Sequence, residues 1–173
     1  MSLYAMQEAL RTYLDSKADV AALGLNQFWL HRGEPIPFVP PTARTAGQGT
    51  YWLGSKLPLL GSSAIRELTD RIVGTGREIK FTVKLHLVLA TTGSVGSRAS
   101  MDAIDQAISV MTAALGGNDN RRARLNAAGV IDDHEILPGG QIIPWPPDHN
   151  TPGSIAAWEW QFDVRLTGVR RLA

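Results

Sequence analysis

EIKFTVKLHLVLA, residues 78–90, decides the fold. Ile79, Phe81, Val83, Leu85, Leu87 and Leu89 are apolar, and Lys80, Thr82, Lys84 and His86 stand between them. Successive side chains of a strand point to opposite faces, so this alternation predicts a β-strand with one dry and one wet face. Ile155–Thr167 alternates the same way, with Trp158, Trp160, Phe162, Val164 and Leu166 set against Glu159, Gln161, Asp163, Arg165 and Thr167. As antiparallel neighbours, the two strands can be registered with Glu78 facing Arg165, Lys80 facing Asp163, Thr82 facing Gln161 and Lys84 facing Glu159. The dry face then pairs Ile79 with Val164, Phe81 with Phe162, Val83 with Trp160 and Leu85 with Trp158. Every charged pair in this register is complementary, each contributing about 0.2–1 kcal/mol. Each strand would run about 40 Å, roughly the full diameter of a domain of this length. Such strands cross the whole domain or project from it, and a projecting strand needs a partner for its edge.

The flanking segments change period. Leu3, Met6, Leu10, Tyr13 and Leu14 recur at helical spacing behind a capping Ser2, which predicts a helix over 3–14, and Ala18–Leu23 reads as a short turn ending at Gly24. Met101, Ile104, Ala107, Ile108, Met111 and Leu115 form a second stripe, with Ser100 as cap and Gly116–Gly117 as terminator. The fold class is therefore α+β: a mostly antiparallel twisted sheet whose two long strands pack against helices 3–14 and 100–115. Gln27–His31 reads as a short strand. Ile36–Val39 is an edge strand or none, since prolines surround it. Ser62–Val73 reads as a helix capped by Ser62, with Ile65, Leu68 and Ile72 on one face. Asp119–Ala128 reads as a short basic helical turn and Val130–Leu137 as a weak strand. One domain covers 1–173, with 40–73 a long Gly/Pro/Ser-rich insertion or arm and 138–153 a Pro-rich loop.

Composition narrows the function classes. The chain has 173 residues, 44% apolar and 19% charged, so it is expected to fold around a core. Seventeen basic residues against sixteen acidic ones argue against a dedicated nucleic-acid binder. There is no cysteine, which excludes disulfides, thiolate metal sites and cysteine nucleophiles. The N-terminal segment lacks the apolar core of a secretory signal, and no stretch approaches a membrane span, so a cytoplasmic origin is expected.

Few residues suggest chemistry. Gly74–Gly76 and Gly93–Gly96 lack the residues that complete a phosphate or dinucleotide motif, and read as turns. Asp132-Asp133-His134-Glu135 is the densest ligand-like run. Neighbours on a strand point to opposite faces, so a solvated acidic turn is preferred to a metal site. His86 stands on the wet face. A nucleophile–base–orienter set there would need a serine or threonine nearby, and a satisfied surface histidine is preferred. Tyr51, Trp52 and Trp145 lie in predicted loops, where aromatic rings often mark interfaces. With Lys80, Lys84, Glu159 and Asp163, they are the candidate subunit or partner surface. Arg121, Arg122 and Arg124, like Arg165, Arg170 and Arg171, read either as solubilising charge or as contacts to a phosphate backbone. No cofactor and no catalytic residue is expected.

The order of elements carries a resemblance. An N-terminal helix precedes an edge segment near PIPFV and the strand REIKFTVKLHLVLATT; the helix SRASMDAIDQAISVMTAAL follows, and SIAAWEWQFDVRLTGVR closes the chain. This topology resembles the tail terminator (tail completion) proteins of long-tailed bacteriophages, the lambda type. The resemblance implies a virion protein at the head-proximal end of the tail. It would form a hexameric ring that caps the tail tube, stops its growth and presents a surface to the head. The implied partners are further copies of the chain, the tube protein and a head–tail connector or neck protein. DNA would pass through the bore unread, with Arg121, Arg122 and Arg124 at its rim. The segments 40–73 and 138–153 depart from compact members of that family. A neck connector or tube-related protein is the nearest alternative. A small enzyme or ligand-binding domain, using His86 or the Asp132–Glu135 run, is the more distant one.

Overall fold

The computed structural model describes residues 2–37, 52–91, 96–116, 131–147 and 154–171. Helix α1 (Leu3–Asp15) and the single turn α2 (Ala18–Ala21) lead into strand β1 (Asn26–Trp29). Strands β2 (Trp52–Leu53), β3 (Leu59–Val73) and β4 (Gly76–Ala90) come next, followed by helix α3 (Arg98–Gly116). Strands β5 (Asp133–Ile136), β6 (Gln141–Trp145), β7 (Ser154–Ile155) and β8 (Ala157–Arg171) complete the described chain. The main sheet has six strands in the order β1-β3-β4-β8-β5, with β6 also on β8; β2 and β7 form a separate antiparallel pair. All pairings in the main sheet are antiparallel except β1 with β3. The mixed, mostly antiparallel sheet with helices makes the fold α+β, as the alternating stretches predict.

Helices α1 and α3 both start on serine hydroxyls. Ser2 Oγ accepts from Ala5 N at 3.1 Å. At α3 the cap is Ser97 rather than Ser100: Ser97 Oγ accepts from Ser100 N at 3.3 Å, while Ser100 is buried inside the first turn. Met6, Leu10 and Leu14 of α1 and Ile104, Ala107, Met111 and Leu115 of α3 are buried in one core with Phe81, Val83, Leu85 and Leu87 of β4 and Phe162, Val164 and Leu166 of β8. Each of these side chains larger than alanine, once removed from water, contributes about 1.5–3 kcal/mol. The Tyr13 hydroxyl donates to Ala114 O at 2.7 Å and ties the two helices together. Met101, at the edge of the expected α3 stripe, is instead 52% exposed.

Strands β4 and β8 are antiparallel neighbours with the expected faces, but the expected register is wrong. Arg165 lies opposite Thr82 rather than Glu78, and Lys84 opposite Asp163 rather than Glu159. The dry face shifts with it, pairing Phe81 with Leu166, Val83 with Val164 and Leu85 with Phe162. Charge complementarity between two strands misleads here because both have further neighbours. Glu78 pairs with Arg71 of β3 at 2.7 Å, and Arg165 with Glu135 of β5 at 3.4 Å.

Ser62–Val73 is no helix; it is most of β3, which pairs with β4 along nearly its whole length. Every residue from Ile65 to Val73 whose side chain is described is exposed, so the spacing of Ile65, Leu68 and Ile72 records no buried face. A two-residue link, Gly74-Thr75, joins Val73 to Gly76, with Gly74 at φ +59°, a conformation that glycine adopts without strain. The segment 138–153 is also not loop throughout, since β6 adds to the outer edge of β8. Tyr51, Arg121, Arg122, Arg124 and the expected Asp119–Ala128 turn lie outside the described residues.

Candidate functional site

The face read as wet is partly dry at one end. Leu59, Val88 and Ala157 are buried there beneath Phe28, Ile36, Leu57 and Trp145, in a second small core. The cover explains why Glu159, expected as an exposed partner contact, is only 1% exposed. An ionised carboxylate held away from water must be paired or hydrogen-bonded. Glu159 Oε2 accepts from Trp145 Nε1 at 2.6 Å, while Oε1 accepts from Gln161 Nε2 at 3.1 Å and lies 2.5 Å from His86 Nδ1.

Three adjacent strands build the rest. His86 on β4 lies opposite Gly61 of β3 and Gln161 of β8. On β3 the register slips between Ser62 and Ala64, leaving Ser63 as an extra residue in a bulge. Bulges re-aim side chains, and Ser63 Oγ lies 2.6 Å from His86 Nε2. Serine, imidazole and carboxylate therefore stand in a row, with the hydroxyl exposed and the carboxylate sealed in. A cavity of about 410 Å³ opens beside them, walled by Leu30, Pro35 and Ile36 on its apolar side.

The neighbouring Ser62 has a different task. It is buried, and its Oγ accepts from Leu30 N at 3.0 Å, holding the end of β1 to β3. Gly61 is required by close approach: a Cβ there would lie 2.8 Å from Ile36 Cγ1 and 2.9 Å from the carbonyl oxygen of Phe28.

The other sequence candidates are dispersed. Lys80 Nζ lies 3.4 Å from Glu78, and Lys84 Nζ 3.5 Å from Asp163, so both serve cross-strand or same-strand pairing. Trp145 joins the Glu159 site through its indole N–H, and Trp52 lies in β2. The Asp132–Glu135 run diverges. Asp132 accepts from Val169 N, Asp133 from His134 N, and Glu135 faces Arg165. Among the described residues, no three potential ligand side chains converge on a point, and no helix is long and apolar enough to cross a membrane.

Two features escape the sequence reading. Ser63 is hidden because only the bulge brings it to His86. The second is a charge cluster at Glu8, which receives Arg32 through Nη2 at 2.7 Å and Nε at 2.9 Å, and Arg11 at 3.1 Å. His31 Nε2 lies 3.0 Å from the same carboxylate. Led by the Arg32 hydrogen bonds, these neighbours lower the Glu8 pKa to about 2. No protein-family model and no curated protein sequence matches the chain.

Proposed function

We propose that the chain is a ring-forming structural protein of the tail terminator kind. It would cap a phage tail tube, stop its growth and offer the head-side surface through symmetric self-association. The observation that carries this reading is the open edge of β3. Beyond Ser62, where β1 ends, β3 pairs only with β4 among the described residues. This edge displays Ile65, Leu68 and Ile72, the last 73% exposed. A long unpaired strand edge with exposed apolar side chains among charged ones (Arg66, Asp70, Arg71) is a template for another chain.

The other side of the same sheet offers a second edge for such a contact. Strands β5 and β6 pair only with β8 among the described residues, and Ile142 of β6 is 52% exposed. Two different edges on opposite sides of one sheet favour head-to-tail contacts, which close into rings when the rotation permits. The tube protein, a neck protein and DNA threading the bore follow as partners from this reading. Mass measurement in solution with electron microscopy tests it. The expected result is a ring near 112 kDa, six times the 18.7 kDa chain; a stable monomer at all concentrations would overturn it. Complementation then separates terminator from neck connector, because loss of a terminator leaves tails of abnormal length.

A further inference from the structure

We propose that Ser63, His86 and Glu159 form an acyl-transfer site that hydrolyses small carboxylic esters with an apolar acyl group. This goes beyond the assembly role and does not depend on it. The order of atoms supports the proposal. Ser63 Oγ meets Nε2 of the imidazole at 2.6 Å, and the opposite ring nitrogen, Nδ1, meets the carboxylate of Glu159 at 2.5 Å. A hydroxyl is a weak nucleophile until an adjacent base accepts its proton, and that base works best when a third group fixes its tautomer. Here the orienting carboxylate is itself held by Trp145 and Gln161, so it cannot swing away without stranding a buried charge.

Exposure follows the same logic. Ser63 is open to solvent, the His86 side chain is 12% exposed, and Glu159 is sealed. The adjacent cavity of about 410 Å³ lies within the usual range for small-ligand sites, and Leu30, Pro35 and Ile36 give it an apolar wall. Gln161 lines the cavity, and its amide carries a second N–H besides the one given to Glu159, a donor for a developing oxyanion.

In the first step Ser63 Oγ attacks the ester carbonyl carbon and its proton passes to His86 Nε2. The carbonyl π electrons move to oxygen. Collapse of this intermediate breaks the ester C–O bond, and the leaving alcohol takes the proton from Nε2. Water then attacks the acyl-serine and gives its proton to Nε2. The acyl–Oγ bond breaks, the carboxylic acid leaves, and Oγ recovers the proton.

The test uses a fluorophosphonate probe followed by intact mass, with p-nitrophenyl butyrate hydrolysis as the second readout. The purified wild-type chain is expected to gain one covalent adduct and to turn over the ester. Ser63→Ala, at an exposed position, should fold normally and lose both. His86→Asn should keep Ser63 but cut labelling and turnover by about 100-fold or more. Circular dichroism confirms that each variant is folded. A folded wild-type chain that takes no adduct overturns the proposal, as does labelling or turnover that persists in Ser63→Ala. Both readouts are independent of whether the chain forms a ring, so this proposal and the assembly reading can fail separately.

Discussion

Glu8 is the residue on which acid stability should turn. Its side chain is a quarter exposed and lies against three cationic or cation-forming neighbours from α1 and the turn after β1. Its pKa falls from the ordinary 4.5 to about 2, chiefly through the Arg32 hydrogen bonds. The folded value lies below the unfolded one, so the contribution is complete above about pH 4.5 and fades as pH falls toward 2. The shift caps the contribution at ~3 kcal/mol, and partial exposure reduces it toward ~1–2 kcal/mol. Glu8→Gln should cost that amount in urea melts at neutral pH, with the gap to wild type closing between about pH 4.5 and 2. A gap that stays constant across that range would show that the carboxylate's charge is not the source. Gly61 tests packing instead. Because an added Cβ would meet the Phe28 carbonyl at 2.9 Å, Gly61→Ala should destabilise the fold by about 1–3 kcal/mol. An unchanged midpoint would mean that the β1–β3 contact yields at no cost.

At the scale of elements, legibility followed burial. Strands β4 and β8 and helices α1 and α3 were readable because each has one face in the core, which leaves period two or period 3.6 in the sequence. Strand β3 has no such face over its outer half, so its apolar residues record no period, and three of them happened to mimic a helix. A different signal was present. Asp70-Arg71 and Arg77-Glu78 bracket the Gly74-Thr75 link with mirrored charge, and the structure pairs Arg71 with Glu78 and Arg77 with Asp70 across the hairpin. Both carboxyl pKa values are pulled down by these arginines. The candidate site was half legible. Alternation placed His86 and Glu159 on one face, but the offset along β8 and the bulge at Ser63 are properties of pairing, not of either strand alone. Exposure of Leu68 and Ile72 without a local reason leads to a prediction for the hairpin. Leu68→Lys with Ile72→Lys should leave the monomer's stability within about 0.5 kcal/mol, since neither residue is in the core. The same pair should abolish self-association by sedimentation. Loss of fold would show that these residues stabilise the chain itself, and an unaltered assembly would move the contact elsewhere.

For the whole molecule, the governing quantity is length against width. Strands β3, β4 and β8 each hold 15 residues, about 50 Å at roughly 3.3 Å per residue, against a domain diameter of about 40 Å. They extend together as a three-stranded ribbon, β3 pairing with β4 as far as Gly76 and β4 with β8 from Gly76 to Ala90, while β6 and β5 cover the far side of β8 over Ala157–Gln161 and Val164–Thr167. Among the described residues, β3 beyond Ser62 and β8 beyond Thr167 have no strand on their outer side, and the β3 stretch is the longer. Alternate backbone groups of a strand point outward on such an edge, away from the β4 ladder. Assembly through this edge would convert those groups into inter-chain hydrogen bonds. Hydrogen exchange should then show the outward amides of Ser63–Val73 protected in wild-type chain and fast in Leu68→Lys/Ile72→Lys, while β4 amides stay slow in both. Thermal midpoint should rise with protein concentration for wild type and not for the variant, because subunits that bind only the folded state stabilise it by mass action. Fast exchange along Ser63–Val73 in an assembled wild-type chain would place the contact on another surface. A flat concentration dependence would instead argue that the ribbon stands free.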